Sequence, residues 1–228
     1  MVLISNEKSI ITIVDQISQM HERFSKEWID SRKNAEAYNL KSKQIRHICG
    51  TDKGINLDFL KYMNEYCDLL VDVQLDEAYD TLSEFIEITS RIKNPDSRMS
   101  KILHYRNNKT ENGAVNINKC LNDLLGFRIR MIDFEHSNEM VQSLNKLLEK
   151  YNVKVHNSSK NEYKATHIYF SSGNNKYFPW ELQIWNRADY DTNIKSHTKH
   201  KQDYTKWPEI YKNVQNMKEE EKRCSNIS

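Results

Sequence analysis

The chain has 228 residues, 38% of them hydrophobic, enough to bury a core in one domain or in a domain with a substantial extension, and only 5 Gly and 3 Pro argue against disorder. Its 34 basic and 32 acidic residues leave a formal charge of +2, which excludes anion capture by overall charge and makes any anion site a matter of local clustering. Four cysteines without C-x-x-C spacing indicate neither a zinc site nor a disulfide framework, and the lack of a long apolar run leads to the expectation of a cytoplasmic protein with no membrane partner.

From Ser9 onward, Ile10, Ile13, Val14, Ile17, Phe24 and Trp28 recur at steps of three and four, which predicts an amphipathic helix. The same period returns in Leu57, Leu60, Met63, Cys67 and Leu70, and again in Leu82, Phe85 and Ile86. Residues 1–88 are therefore expected to form a helical N-terminal extension, broken near Gly50–Gly54 and around Leu75–Asp76. Within it Arg32, Lys33, Lys41, Lys43 and Arg46 make a basic run, read as a solvated helix face that is also able to contact nucleic acid.

Residues 89–228 have a different character. Short apolar, β-branched runs at 127–132, 153–155, 167–170 and 177–184 predict strands, and Met140, Val141, Leu144, Leu147 and Leu148 predict a helix between the first two. With an apparent hairpin through Ser171–Asn175, the expected fold class is α/β (α+β), a mixed β-sheet flanked by helices. Residues 188–221 read as one or two closing helices interrupted near Trp207-Pro208.

The chemistry-bearing residues fall in the second part. Arg91, Lys93, Arg98, Lys101 and Arg106 gather within sixteen residues that hold one acid, Asp96, a density that suits a polyphosphate. Pro95 sits where a helix can begin, which places Ser97 in a first turn with backbone donors free for an anion. Asp123 precedes one predicted strand and Glu181 lies in another. Two convergent carboxylates of this kind bind Mg²⁺ well, because Mg²⁺ takes few protein oxygens and bridges phosphates. Gln183 shares the face of Glu181 under strand alternation. Tyr163 and His167 are four apart, and His197 with His200 forms an isolated H-x-x-H pair.

Arg91-x-Lys93-x-x-x-Ser97, Asp123-x-x-Gly126-x-Arg128, Tyr163-x-x-x-His167 and Glu181-x-Gln183-Ile184 resemble, in order and spacing, the four core motifs of the RelA/SpoT-type alarmone synthetases. The resemblance covers roughly residues 85–205. It implies a nucleotidyltransferase-like synthetase domain that moves the β,γ-diphosphate of ATP to the 3′-hydroxyl of GDP or GTP. Arg91 would then pack on adenine, Lys93, Ser97 and Lys101 would hold the ATP phosphates, and Arg128 would complete the ATP side. Asp123 and Glu181 would hold Mg²⁺, with Glu181 alternatively deprotonating the acceptor. Tyr163 would stack on guanine, with His167, Asn161, Lys160 and His197 near the acceptor and Gln183 orienting it.

Two departures from that pattern lie on the acceptor side. The loop usually written K-x-N-G-Y reads Ser159-Lys160-Asn161-Glu162-Tyr163, and Trp185-Asn186 stands where the family has Arg-Thr. They resemble the toxic small alarmone synthetases, some of which modify the 3′ end of tRNA. That resemblance implies a tRNA acceptor held by Lys41, Lys43 and Arg46 or by Lys195, Lys199 and Lys201, and as partner an antitoxin protein or a second copy of the chain. A non-catalytic, nucleotide-binding relative is the third reading. Substitution of Asp123 or Glu181 is expected to leave the fold intact.

Overall fold

A computed structural model describes residues 2–32, 37–50, 54–74, 87–107 and 110–196. Helix α1 spans Val2–Ser31 and α2 spans Leu57–Gln74. Ile10, Ile13, Val14, Ile17, Met63, Cys67 and Leu70 are buried as the helical period requires. Leu57 departs from that stripe: at the first residue of α2 it is 78% exposed. Residues 37–50 are not helical, contrary to expectation. They form an irregular segment with a single 3-10 turn at Ile45–His47, so the basic run of Lys41 to Arg46 is a loop. Leu82, Phe85 and Ile86 lie outside the described residues.

Five strands follow, β1 (Ile88–Ile92), β2 (Leu125–Met131), β3 (Val153–Asn157), β4 (Thr166–Phe170) and β5 (Trp180–Asn186), in the order β1-β2-β5-β4-β3. β2 and β5 are parallel and every other neighbouring pair is antiparallel, which makes the sheet mixed. β1 was missed in the sequence because Thr89-Ser90-Arg91 interrupts its apolar signal, and the 88/89 boundary drawn there falls inside it. Helices α3 (Pro95–Asn107), α4 (Ile117–Cys120) and α5 (Asn138–Leu147) connect the strands, and residues 190–196 are again helical. Asn94 caps α3 by accepting from the Ser97 amide at 2.8 Å, so the helix begins at the proline as its fixed φ favours.

Alternation gives the sheet two unlike faces. Phe127, Ile129, Trp180, Leu182, Ile184 and Ile168 point to the side covered by α1 and α2, where Trp180 meets His21 and Phe24 edge-on or tilted and its indole N–H donates to Tyr66 Oη at 2.7 Å. Residues one position along each strand point the other way. Across the register they are Arg91, Gly126 with Glu181, Arg128 with Gln183, and Tyr169 and His167. Every side chain among them except that of Gly126 is polar.

Candidate active site

Strand pairing alone brings two distant motifs together. Gly126 lies opposite Glu181 and Arg128 opposite Gln183, so the acid-glycine-arginine run of β2 and the glutamate-glutamine run of β5 share one face. With Thr89, Ser90, Arg91 and Asp123 they line a cleft of about 90 Å³. Gly126 has an ordinary backbone conformation. Its missing side chain leaves the cleft floor open, since a Cβ there would stand 3.9 Å from Glu181 Oε2.

Asp123 ends the turn before β2 and is gripped by two cations. Lys93 Nζ lies 2.6 Å from its Oδ2, and Lys101 Nζ lies 3.0 Å from both its Oδ1 and Asn122 Oδ1. All three charged side chains are four-fifths or more buried, at 17% exposed for Asp123, 12% for Lys93 and 20% for Lys101. Burial alone would raise the Asp123 carboxyl, but Lys101 and Lys93 outweigh it and hold the group well below the usual carboxylate range. Burial lowers Lys93, with Lys101 and Arg91 adding to the effect. Lys101, by contrast, is buried yet raised by Asp123.

Glu181, 6% exposed, is held on both oxygens. His167 Nδ1 lies 2.9 Å from Oε1, and Gln183 Nε2 donates to Oε2 at 2.7 Å. Burial opposes ionisation here too, and His167 and Gln183 overcome it, so the carboxyl is lowered. Gln183 Oε1 accepts from Arg128 Nε and Nη2 at 3.1 and 3.0 Å. The Arg128 guanidinium carbon lies over Trp185, 3.7 Å from the ring centroid. The Trp185 indole donates to Tyr163 Oη at 3.3 Å, and that hydroxyl meets His167 Nε2 at 3.0 Å. One chain of contacts therefore runs Arg128, Gln183, Glu181, His167, Tyr163, Trp185 and back to Arg128.

The structure thus gathers Arg91, Lys93, Lys101, Asp123, Arg128, Glu181, Gln183, His167 and Tyr163 on the open face of the sheet. Ser97 sits in the first turn of α3, beside Lys93 in sequence and one turn before Lys101. Lys160 and Asn161 part from this group: their loop turns back at Tyr163, and both line a separate, larger cleft of about 550 Å³ with His136, Lys164, Asn186 and Asp189. His197 lies outside the described residues. Sequence reasoning passed over Asn122, Trp185 as a contributor, and Tyr169, whose hydroxyl stands 3.2 Å from His167 Nδ1. The period of two from Glu181 to Trp185 and from His167 to Tyr169 was the signal that could have found the last two.

Among the described residues no group of three or more His, Cys, Asp and Glu side chains converges on a metal position. Two carboxylates in one cleft, both held ionised, are nonetheless the donor set that Mg²⁺ takes when phosphate oxygens and water complete its shell. No described helix is long and apolar enough to cross a membrane.

No protein-family model and no curated protein matches the chain. Among solved structures it is similar to small alarmone synthetase 1 from Bacillus subtilis bound to its product pppGpp, with 17% identity, 74% of this chain and 98% of that one covered, and a TM-score of 0.37. It is also similar to a GTP pyrophosphokinase family protein from Streptococcus pneumoniae, with 16% identity, 65% and 77% coverage and a TM-score of 0.38. A third is small alarmone synthetase 2 from Bacillus subtilis, with 18% identity, 69% and 94% coverage and a TM-score of 0.37.

Proposed function

We propose that this chain is an ATP-dependent pyrophosphotransferase that moves the β,γ-diphosphate of ATP in one piece onto the 3′-hydroxyl of GDP or GTP. The observation that carries this reading is the β2–β5 register, which sets Gly126 on Glu181 and Arg128 on Gln183 in a cleft that Arg91 and Asp123 also line. Four motifs far apart in the chain meet on one polar face. Arg91 at the rim offers a planar cation for the adenine, and Lys93 and Lys101 exchange Asp123 for the ATP phosphates when these enter. Asp123 and Glu181 would hold Mg²⁺, which when bound offsets charge on the phosphoryl oxygens.

The acceptor oxygen forms a bond to the β-phosphorus while the bond from that phosphorus to the α,β-bridging oxygen breaks, and AMP leaves with the electron pair. Glu181, its carboxylate fixed in place by His167 and Gln183, serves either as the second ligand of the metal or as the base that takes the proton of the acceptor hydroxyl. The ring of Tyr163 stacks on the acceptor base, while its hydroxyl is fixed by Trp185 and His167. The test is nucleotide release: purified protein with Mg²⁺, α-labelled ATP and GDP or GTP yields labelled AMP. Labelled ADP alone, or no product with any acceptor, overturns the assignment.

A second acceptor, the 3′-terminal adenosine of tRNA, is favoured by one observation. Of the cations nearest Tyr163 in sequence, Lys164 stands 3.4 Å from Asp189 and Lys160 lines the larger cleft, and Trp185 lies against the Arg128 guanidinium. The 5′ phosphates of a free nucleotide then find little counter-charge. Incubation with γ-labelled ATP and either GDP, GTP or deacylated tRNA decides between them by which acceptor carries the label.

A further inference from the structure

Trp185 is wholly buried, yet among the described residues it stands apart from the continuous cluster of buried apolar side chains. Strand alternation puts it on the polar face of the sheet with Glu181 and Gln183, at the position where the motif pattern has an arginine. An indole at such a place either fills space or holds polar neighbours, and its contacts decide between the two.

Two parts of the ring are used separately. Its N–H, which can only donate, reaches Tyr163 Oη at 3.3 Å, and the two rings meet edge-on with centroids 6.0 Å apart and planes at 85°. Its face carries the Arg128 guanidinium carbon at 3.7 Å. Arg130, directly opposite Trp185 in the β2–β5 register, lies instead over Tyr190 at 4.8 Å, so the indole face is left to Arg128. Gln183 Oε1 fixes the same guanidinium through Nε and Nη2 at 3.1 and 3.0 Å. Burial draws Arg128 below its ordinary range, and a cation with little water around it is held more strongly by a ring face.

We propose that Trp185 is a positioning residue that serves both substrates at once, its N–H holding the Tyr163 ring where the acceptor base stacks and its face holding Arg128 at the wall of the donor cleft. This role rests on the pyrophosphotransferase reading for its two substrates and stands whichever acceptor that reaction uses. Where an arginine would bring charge to the acceptor, the tryptophan brings none. It spares both substrates the entropic cost of ordering a long or rotatable side chain on arrival, because each is already in place in the empty protein.

Trp185→Phe separates the two parts, since it keeps a ring under Arg128 and removes the N–H. In steady-state AMP release by the full chain, kcat/KM for the acceptor should fall several-fold while the KM for ATP stays within about twofold. Adding Trp185→Phe to Tyr163→Phe should cost the acceptor no more than about twofold beyond Tyr163→Phe alone, because both changes remove the same bond. Trp185→Leu takes away the face as well and should raise the KM for ATP by about fivefold or more. Equal losses for both substrates in Trp185→Phe, or full additivity of the two phenylalanine substitutions, overturns the proposal and leaves Trp185 as packing; neither measurement needs the leucine variant to fold. If the unaltered chain releases no AMP with any acceptor, the enzyme reading fails, and calorimetric titration of the same variants with α,β-methylene-ATP and with GDP tests Trp185 by the same pattern in Kd. Binding of neither nucleotide by the unaltered chain overturns both.

Discussion

Asp123 is the counter-ion of two buried lysines as well as the carboxylate at the cleft. Its substitution is therefore expected to carry a stability cost that an exposed carboxylate would not. Asp123→Asn leaves two ammonium groups facing each other in a partly dry site, which should cost about 2 kcal/mol and lower the melting temperature by roughly 4–8 °C, measured by calorimetry. Glu181→Gln, whose partners are a histidine and an amide, should cost less while abolishing turnover as fully, by about a hundredfold or more. If the biological effect of the protein survives Glu181→Gln, the chain acts by binding alone. The pH dependence follows with its sign. The folded Asp123 carboxyl lies below its ordinary value of 3.8, so the unfolded chain is the form that takes up the proton as pH falls. This pair's stabilisation is present above about pH 4 and is lost below it. Urea unfolding between pH 3 and 6 should show that loss, flattened in Asp123→Asn; identical profiles would mean that the lysines find other partners. Tyr163 makes a finer demand, because its hydroxyl touches both His167 and Trp185. Tyr163→Phe should lower turnover by several-fold and Tyr163→Ala by more, with the excess appearing in the acceptor KM.

At the scale of the elements, the site is a property of register. A shift of one residue between β2 and β5 would turn Glu181 and Gln183 into the helix-covered core and bring Trp180 and Leu182 to the cleft. Gly126 lies opposite Glu181 in that register. Gly126→Ala meets only ordinary contacts and should change stability by less than about 0.5 kcal/mol, whereas Gly126→Leu fills the floor beside Glu181 and should abolish nucleotide binding in calorimetric titration with the fold retained. This is also where legibility in the sequence divided. β2, β4 and β5 were readable because apolar residues at every second position announce a buried face, and with them the placement of Glu181 and Gln183 on one side. β1 was not, because it is an edge strand whose Thr89, Ser90 and Arg91 serve the cleft. That Lys160 and Asn161 line the larger cleft depends on a turn closed by two backbone bonds between Lys160 and Tyr163, with Asn161 at φ 55°, and no residue pattern encodes it.

For the molecule as a whole, the helices that precede the sheet share its core. One continuous cluster of buried side chains runs from Ile10 in α1 through Tyr66 in α2 and Phe178 before β5 to Phe127 and Trp180 in the sheet. Trp180 is the joint, with its ring against His21, Phe24 and Phe127 and its N–H on Tyr66, on the strand whose next residue is Glu181. Polar groups are locked into the same seam: His21, wholly buried, contacts Phe178 O at 3.0 Å and Ser172 Oγ at 2.7 Å, and burial lowers it to about 4. A helical layer that contributes to this core cannot be removed without exposing the apolar underside of β2 and β5. Unfolding should then be a single transition, with helix loss by circular dichroism and Trp fluorescence coinciding, and a chain beginning at residue 87 should fail to give a cooperative melt. Trp180→Phe keeps an aromatic ring but strands the Tyr66 hydroxyl, and should cost about 1–3 kcal/mol. Trp180→Ala should cost about 3–5 kcal/mol and lower AMP release beyond what the unfolded fraction explains, because β5 carries the vacated core position and Glu181 on adjacent residues. If a chain lacking residues 1–74 melts cooperatively and still releases AMP, the helical layer is an addition to an independent catalytic unit and the shared core is dispensable.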